Sequence, residues 1–317
     1  MSEEIKIKKI STGQQSYEID AKYWGGREST TPPNDEIWYT STDGNSVTFS
    51  PGSSSGANVV SNTYENGKGI IKFDGEINVI AASSFEFRDS LSSITIPDSV
   101  TSIGYEAFYG CTSLSSISIP NSVTDIEFAA FSGCTSLTSV TIPDSVTSIG
   151  EQAFYGCSSL TSVTIPDGVT RIRSEAFYGC SSLTSVTIPD SVTEIVNRSF
   201  YNCTSLISVY CKRITPYSIS GGAVFGNNAS ERKIYVPVES VDTYKTASAW
   251  SGYIDSIVGC VFEDEPILVL SDEDISSIVN TYFILSASGS GSGGFGDGIS
   301  LALDDESSDI YEETPIE

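Results

Sequence analysis

A 23-residue pattern returns, almost letter for letter, from Leu91 to Cys203. Each copy reads Leu-x-Ser-(Ile/Val)-(Thr/Ser)-Ile-Pro-(Asp/Asn)-(Ser/Gly)-Val-Thr-x-Ile, followed by (Ala/Ser)-Phe-x-x-Cys. Leu91, Leu114, Leu137, Leu160, Leu183 and Leu206 open successive units, and Ile94, Ile117, Val140, Val163, Val186 and Val209 follow three residues later. A short fixed period of this kind means that each unit buries its apolar side only against its neighbours. The chain should therefore build an elongated stack of coils with no central cleft, and function should be sought first on its outer surface.

Within a unit, Leu-x-Ser-Ile-Thr-Ile alternates apolar and small polar residues, the period of a half-buried strand. Ile94 and Ile96 should face inward, and Ser93 and Thr95 outward. Pro97, Pro120, Pro143, Pro166 and Pro189 stop this strand at the same place in every copy, because proline offers no N–H to continue a ladder. Val100 and Ile103 turn the chain back, Ala107 and Phe108 fill the interior, and Gly110-Cys111 returns it to the next leucine. Superposed copies then form columns of Leu, Ile, Val, Phe and Cys. One coil alone cannot offset its ordering entropy, since each large apolar side chain contributes roughly 1.5–3 kcal/mol only when covered.

The pattern has ends. Ile71, Phe73, Ile77, Ile80 and Phe85 lie one period before Ile94, Ile96, Val100, Ile103 and Phe108, so Gly69–Ser90 reads as a degenerate first coil. Ile37-Trp38-Tyr39-Thr40 with Thr42-Asp43-Gly44 reads as a hairpin over the open edge. After Leu206 the motif fades. Lys233–Pro237 reads as a further strand and Val241–Trp250 as a short amphipathic helix. The expected division is 1–34, an attachment segment; 35–90, an N-terminal cap with the degenerate coil; 91–211, the repeats; 212–260, a C-terminal cap; and 261–317, an acidic region with a Gly/Ser-rich linker.

The formal net charge of −25 is uneven, for Val261–Glu317 contains no Lys or Arg. A nucleic-acid footprint needs the opposite sign. That tail reads as a solvated extension, with Ile267–Leu270 and Ile278–Leu285 as alternative docking strands. No apolar run is long enough to cross a membrane. The N-terminus alternates charges with isoleucines and has no secretory signal, so a cytoplasmic start is expected.

Histidine is absent, which removes Ser-His-Asp and Cys-His catalysis and the commonest metal ligand. Asp98, Asn121, Asp144, Asp167 and Asp190 follow the prolines, where turn formation accounts for them. No enzyme activity, cofactor or metal is expected; a carbohydrate-active enzyme using paired carboxylates is the remaining chemical alternative. Cys111, Cys134, Cys157, Cys180 and Cys203 share one repeat position and should form a reduced structural column. A Cys211–Cys260 bridge is conceivable in an oxidising setting.

Two outward columns are candidate binding faces. One is the strand face of Ser93, Thr95, Ser116, Ser118, Ser139, Thr141, Ser162, Thr164, Ser185 and Thr187, uncharged and suited to hydrogen bonding with glycans or a protein. The other is Tyr109, Tyr155, Tyr178 and Tyr201, interrupted by Ser132; tyrosines can hold sugar rings or protein edges.

The unit Ser-Ile-Thr-Ile-Pro-Asp-Ser-Val-Thr-Ser-Ile-Gly-Tyr-Glu-Ala-Phe-Tyr-Gly-Cys-Thr-Ser-Leu closely resembles the BspA-like leucine-rich repeats of gut Bacteroidales, protists and their phages. Glu36–Thr40, Asn62–Gly67 and Ile234–Pro237 resemble that family's caps. The resemblance implies a β-rich leucine-rich-repeat solenoid with a hairpin N-cap and a strand/helix C-cap, engaged in adhesion or protein contact. Bacterial members usually carry an export signal and an anchor, which this sequence does not show. Tyr17–Gly26 resembles an attachment peptide of Bacteroides phage tail or fibre proteins. The expectation is thus a virion component contacting a virion or host-surface protein, with a surface glycan as a further possible partner. A bacterial cell-surface adhesin is the alternative.

Overall fold

The structure, a computed structural model, describes residues 30–50 and 56–262. The expected attachment peptide, the strands at 267–270 and 278–285, and the Gly/Ser-rich linker lie outside the described residues. The described residues belong to one unit, and no helix among them is long and apolar enough to cross a membrane.

Every coil has three walls. The first is the predicted strand: Leu91–Thr95, Ser116–Ser118, Ser139–Val140, Ser162–Thr164, Ser185–Ile188 and Ser208–Cys211. Partners in adjacent coils are parallel and one period apart, as in Ser162↔Ser185 and Val163↔Val186. Turns closed by Val100, Val123, Val146, Val169 and Val192 N–H groups on the Pro97, Pro120, Pro143, Pro166 and Pro189 carbonyls end this wall. A second parallel wall follows, with pairs such as Ser102↔Asp125 and Ile103↔Ile126. Along the third wall alternate amides reach the next coil: Glu106, Phe108 and Gly110 donate to the carbonyls of Phe128, Ala130 and Ser132.

Two corners of the third wall need a left-handed backbone. Glu106, Ala129, Gln152, Glu175 and Arg198 adopt φ of 51–57° at one corner. Gly110, Gly133, Gly156 and Gly179 adopt φ of 68–74° at the other, where glycine meets no Cβ penalty. At the two ends of the glycine column stand Phe87 and Asn202, with φ of 54° and 60°.

The interior follows the predicted columns. Leu91, Leu114, Leu137, Leu160, Leu183 and Leu206 are fully buried. Rings of Phe85, Phe108, Phe131, Phe154, Phe177, Phe200 and Phe225 stack at centroid distances of 5.1–5.6 Å and interplanar angles of 1–11°. Such offset stacking adds to what area burial alone contributes.

The N-terminal end departs from expectation. Strand Glu36–Ser41 does not fold back on Thr42–Gly44; it lies antiparallel between Lys68–Phe73 and Leu91–Thr95. The cap hairpin is instead Val59–Glu65 with Lys68–Phe73. Its turn is Asn66-Gly67 at φ of 53° and 81°, the mirror-image turn that matches strand twist. The degenerate coil joins the stack through its other wall, where Val79–Ile80 pairs with Ser102–Ile103. Tyr39 locks the inserted strand, its hydroxyl donating to Asn62 Oδ1 (2.7 Å) and accepting from the Val47 amide (3.1 Å). Gly69 lies opposite Tyr39 because any Cβ there would enter the ring.

The C-terminal end also differs. The repeat does not end at Cys211 but lengthens to a 25-residue coil, pairing Val209 with Ile234 and Tyr210 with Tyr235. Strand Lys233–Pro237 forms as expected and carries one more parallel strand, Ile257–Cys260. The predicted helix is shorter: α-helix spans Val241–Thr246, Ala247 is extended, and 3-10 turns run over Ser248–Ser256. The break lets Trp250 turn inward, fully buried, where its Nε1 donates to the Tyr217 carbonyl at 3.0 Å. A continuous helix would not place that indole there.

Candidate binding faces

The strand face presents three hydroxyl rows, and they do different things. The row after each leucine is structural: Ser115, Thr138, Thr161 and Thr184 donate their hydroxyls to the Ser92, Ser115, Thr138 and Thr161 carbonyls of the preceding coil. The two predicted rows behave otherwise. Ser116, Ser118, Ser139, Thr141, Ser162 and Thr164 are exposed. Among the described residues, none of these six hydroxyls bonds to another protein group. Ser93, Thr95, Ser185 and Thr187 are half-buried, and Ser93 is engaged by Thr40 Oγ1 at 2.6 Å. Beneath the central coils the inward residues are thinly covered. Ile117 and Val140 keep 9% and 7% of their surface, against 0–1% for Val186 and Val209 near the cap.

The face is bounded by aromatic side chains that the motif does not contain. Register puts Tyr210 next to Thr187 and Tyr235 next to Tyr210. Their rings stack at 4.8 Å and 14°, so the other face of Tyr210 looks along the stack over the short Thr187. At the opposite end Trp38 is paired with Thr95; Lys68 Nζ lies 3.2 Å over its ring and its Nε1 donates to Glu36 at 2.8 Å. Counting one period beyond Thr187 finds Tyr210. Tyr235 and Trp38 are displaced by the longer coil and by the antiparallel insertion.

The tyrosine column is assembled only in part. Tyr155, Tyr178 and Tyr201 stack at 4.7 and 5.4 Å. The hydroxyl of Tyr178 accepts from Asn202 at 3.0 Å, and Arg198 lies 5.7 Å from the Tyr201 centroid. Tyr109 stands apart beyond buried Ser132 and meets Phe87 edge-on at 5.2 Å. These rings use their faces on one another, and burial holds the Tyr155 phenol above its ordinary value.

The cysteine column is interior. Sγ of Cys111, Cys134, Cys157, Cys180 and Cys203 donates to the carbonyls of Phe85, Phe108, Phe131, Phe154 and Phe177 at 2.9–3.3 Å. Burial pushes Cys111, Cys157 and Cys203 up to about 12, and Cys134 and Cys180 well above the ordinary thiol value. Protonated, buried thiols are poor nucleophiles and poor metal ligands. Cys211 and Cys260 are also free; Cys211 is buried two strands away from Cys260.

On the second wall Ser102, Asp125, Glu127, Phe128, Gly150, Glu151 and Arg173 line an open groove of ≈ 490 Å³. Glu127 is tied into it by the Tyr105 amide at 3.0 Å and the Ser102 hydroxyl at 3.3 Å.

The model of the BspA type leucine rich repeat region matches residues 78–207 and 124–246, more than half of the chain. The chain belongs to the BspA-type leucine-rich-repeat family. The matched segments run past Cys211, in step with the lengthened final coil. Among solved structures, this BspA-type protein is 33% identical to the T. pallidum leucine rich repeat protein TpLRR, with a TM-score of 0.47, 51% of this chain covered and 74% of that one. A leucine-rich repeat protein from Bacteroides ovatus is 25% identical, with a TM-score of 0.34, over 56% of this chain and 61% of that one. A leucine rich cell surface protein from Faecalibacterium prausnitzii is 24% identical, with a TM-score of 0.31, over 51% of this chain and 64% of that one. No curated protein matches significantly.

Proposed function

We propose that this BspA-type protein is a non-enzymatic contact protein that binds its partner across the strand face. The carrying observation is the pair of exposed rows from Ser116 to Thr164, whose hydroxyls bond to no other protein group among the described residues. Hydroxyls on a rigid parallel sheet are held at fixed spacing, so a complementary partner loses little entropy in aligning with them. The tyrosine column supports itself and is the second choice. Family membership supports a binding or structural role.

The finer setting we propose is a phage tail or fibre, with residues 1–34 as the attachment segment and the repeat face turned to a host surface. That reading rests on the resemblance of Tyr17–Gly26. Retention on virions and on intact host cells is the test. Thr141→Arg and Thr164→Arg should abolish retention on host cells without changing thermal unfolding, and removal of residues 1–30 should abolish retention on virions only. Cell retention unchanged by either arginine would overturn the face assignment. Virion retention surviving the truncation would overturn the attachment assignment and leave the bacterial cell-surface adhesin as the better setting.

A further inference from the structure

We propose that the stack contains a built-in hinge: a seam on the second wall opens between residues 137–159 and 160–182 while the other two walls stay joined. The seam lies away from the proposed contact face and does not depend on that reading. The second wall is not one sheet. A four-stranded sheet ends at Ser148–Ile149, and a three-stranded sheet begins at Arg171–Ile172. Elsewhere on this wall four kinds of bond tie a coil to the one before it. Amides of Thr101, Thr124, Thr147 and Thr193 donate to the carbonyls of Asn78, Thr101, Thr124 and Thr170 at 2.8–2.9 Å. Hydroxyls of the same threonines reach the same carbonyls at 3.1–3.5 Å. Amides of Gly104, Glu127 and Gly150 donate to the Ile80, Ile103 and Ile126 carbonyls at 2.7–2.9 Å. Hydroxyls of Ser99, Ser122, Ser145 and Ser191 reach the Ile77, Val100, Val123 and Val169 carbonyls at 2.5–3.0 Å.

At the seam all four fail together. Among the described residues neither the amide nor the hydroxyl of Thr170 has a partner, nor has the amide of Arg173. Gly168 stands where the other copies have serine. Packing on either side accounts for the gap. A Cβ on Gly150 would lie 2.4 Å from the Glu127 carbonyl carbon, so the bare backbone sits hard against the preceding coil. On the far lip the equivalent residue is Arg173, and Arg171 leans onward to Glu194 at 2.7 Å. A Cβ on Gly168 would lie 3.0 Å from the Val146 carbonyl oxygen, so the coils meet at that corner and part beyond it. The open groove has Ser148 and Gly150 on one lip and Arg173 on the other. The first and third walls carry straight across. Ser139 and Val140 pair with Ser162 and Val163, and the Gln152, Phe154 and Gly156 amides donate to the Ser174, Ala176 and Tyr178 carbonyls at 2.7–3.1 Å. With two walls joined and one parted, the cheapest relative motion is opening of the second wall. The curvature of the stack is thereby adjustable at one place.

The test is amide hydrogen exchange of the full chain, resolved residue by residue, joined to thiol trapping. Thr170 and Arg173 should exchange about a hundredfold faster than Thr147, Gly150 and Thr193, while Phe154 and Val163 in the same two coils stay slow. Ile149→Cys and Ile126→Cys place a thiol inside the same wall, beside the seam and one coil away from it; both sites are buried. The Ile149→Cys thiol should react with Ellman's reagent about tenfold faster than the Ile126→Cys thiol, with the unsubstituted chain reporting Cys260. Slow exchange at Thr170 and Arg173 would overturn the seam. Fast exchange there with equal trapping at both cysteines would mean a fixed gap, which overturns the hinge. Fast exchange at Phe154 and Val163 as well would mean that whole coils unfold, which overturns it too.

Discussion

The central coils and the terminal caps solve the same burial problem by opposite means. Between Leu114 and Cys203 the core side chains are covered by their own counterparts, as Phe154 is by Phe131 and Phe177 at 5.2 and 5.4 Å. At the C-terminal end no further copy exists, and unlike residues close the stack. Tyr217 donates to the Ile188 carbonyl at 2.8 Å, and Trp250 caps Tyr217 and packs edge-on against Tyr244 at 4.9 Å. Self-stacking needs only a constant period. A cap needs particular hydrogen bonds, because the last coil's polar groups would otherwise be buried without partners.

That contrast predicts a ranked set of effects. The largest should come from alkali acting on the coils. Thiols that ionise near 9 in an unfolded chain stay protonated to about 12 in Cys111, Cys157 and Cys203. The unfolded state therefore holds fewer protons between these values, and stability, full below pH 9, must fall as pH rises toward 12, by about 1.4 kcal/mol per thiol for each pH unit. Denaturant midpoints measured from pH 8 to 11 should drop steeply, and Cys157→Ala should lessen the slope. A flat profile would mean that the column is solvated.

Phe154→Ala should follow, at about 3–5 kcal/mol, since its cavity lies between rings that cannot collapse without breaking the period. Because coupling runs only between neighbours, urea unfolding should lose its single cooperative step. Trp250→Phe removes the indole donor from the Tyr217 carbonyl and should cost about 1–3 kcal/mol. Hydrogen exchange should then quicken in residues 238–260 while the amides of Phe131 and Phe154 stay slow. Uniform quickening would show that cap and coils are one cooperative block.

The smallest effect compares one position in two places. Gly156→Ala carries only the left-handed backbone penalty, about 1 kcal/mol, for no side chain lies near the new methyl. Gly110→Ala, at nearly the same φ, would place its methyl 2.6 Å from the Phe87 ring and should lower the melting temperature further. Equal losses would show that Phe87 yields freely.

Which parts of this were legible in the sequence follows the same division. Wherever an apolar residue recurs every 23 positions, its burial could be read directly, down to the buried cysteines, and so could the proline stops. The ends were harder, because there pairing is set by what the edge lacks. The alternation of Glu36–Ser41 marks a strand but cannot say that it enters antiparallel beside Leu91–Thr95. Two inserted residues hid the last coil, although Phe200/Phe225 and Asn202/Asn227 both keep the 25-residue offset. On the candidate face the ten Ser and Thr positions were legible as outward. That Ser93 is already engaged, and that Tyr210 and Tyr235 form an end wall, needed the register.

Removing one whole coil tests the account most directly. Deletion of residues 137–159 joins Ser136 to Leu160 in phase, and the account predicts a folded protein with the circular dichroism of a shorter stack and a cooperative melt. Deletion of residues 137–156, three residues out of phase, should leave it unfolded. If both deletions fold equally well, or the in-phase deletion unfolds the chain, neighbouring copies are not what shields the core.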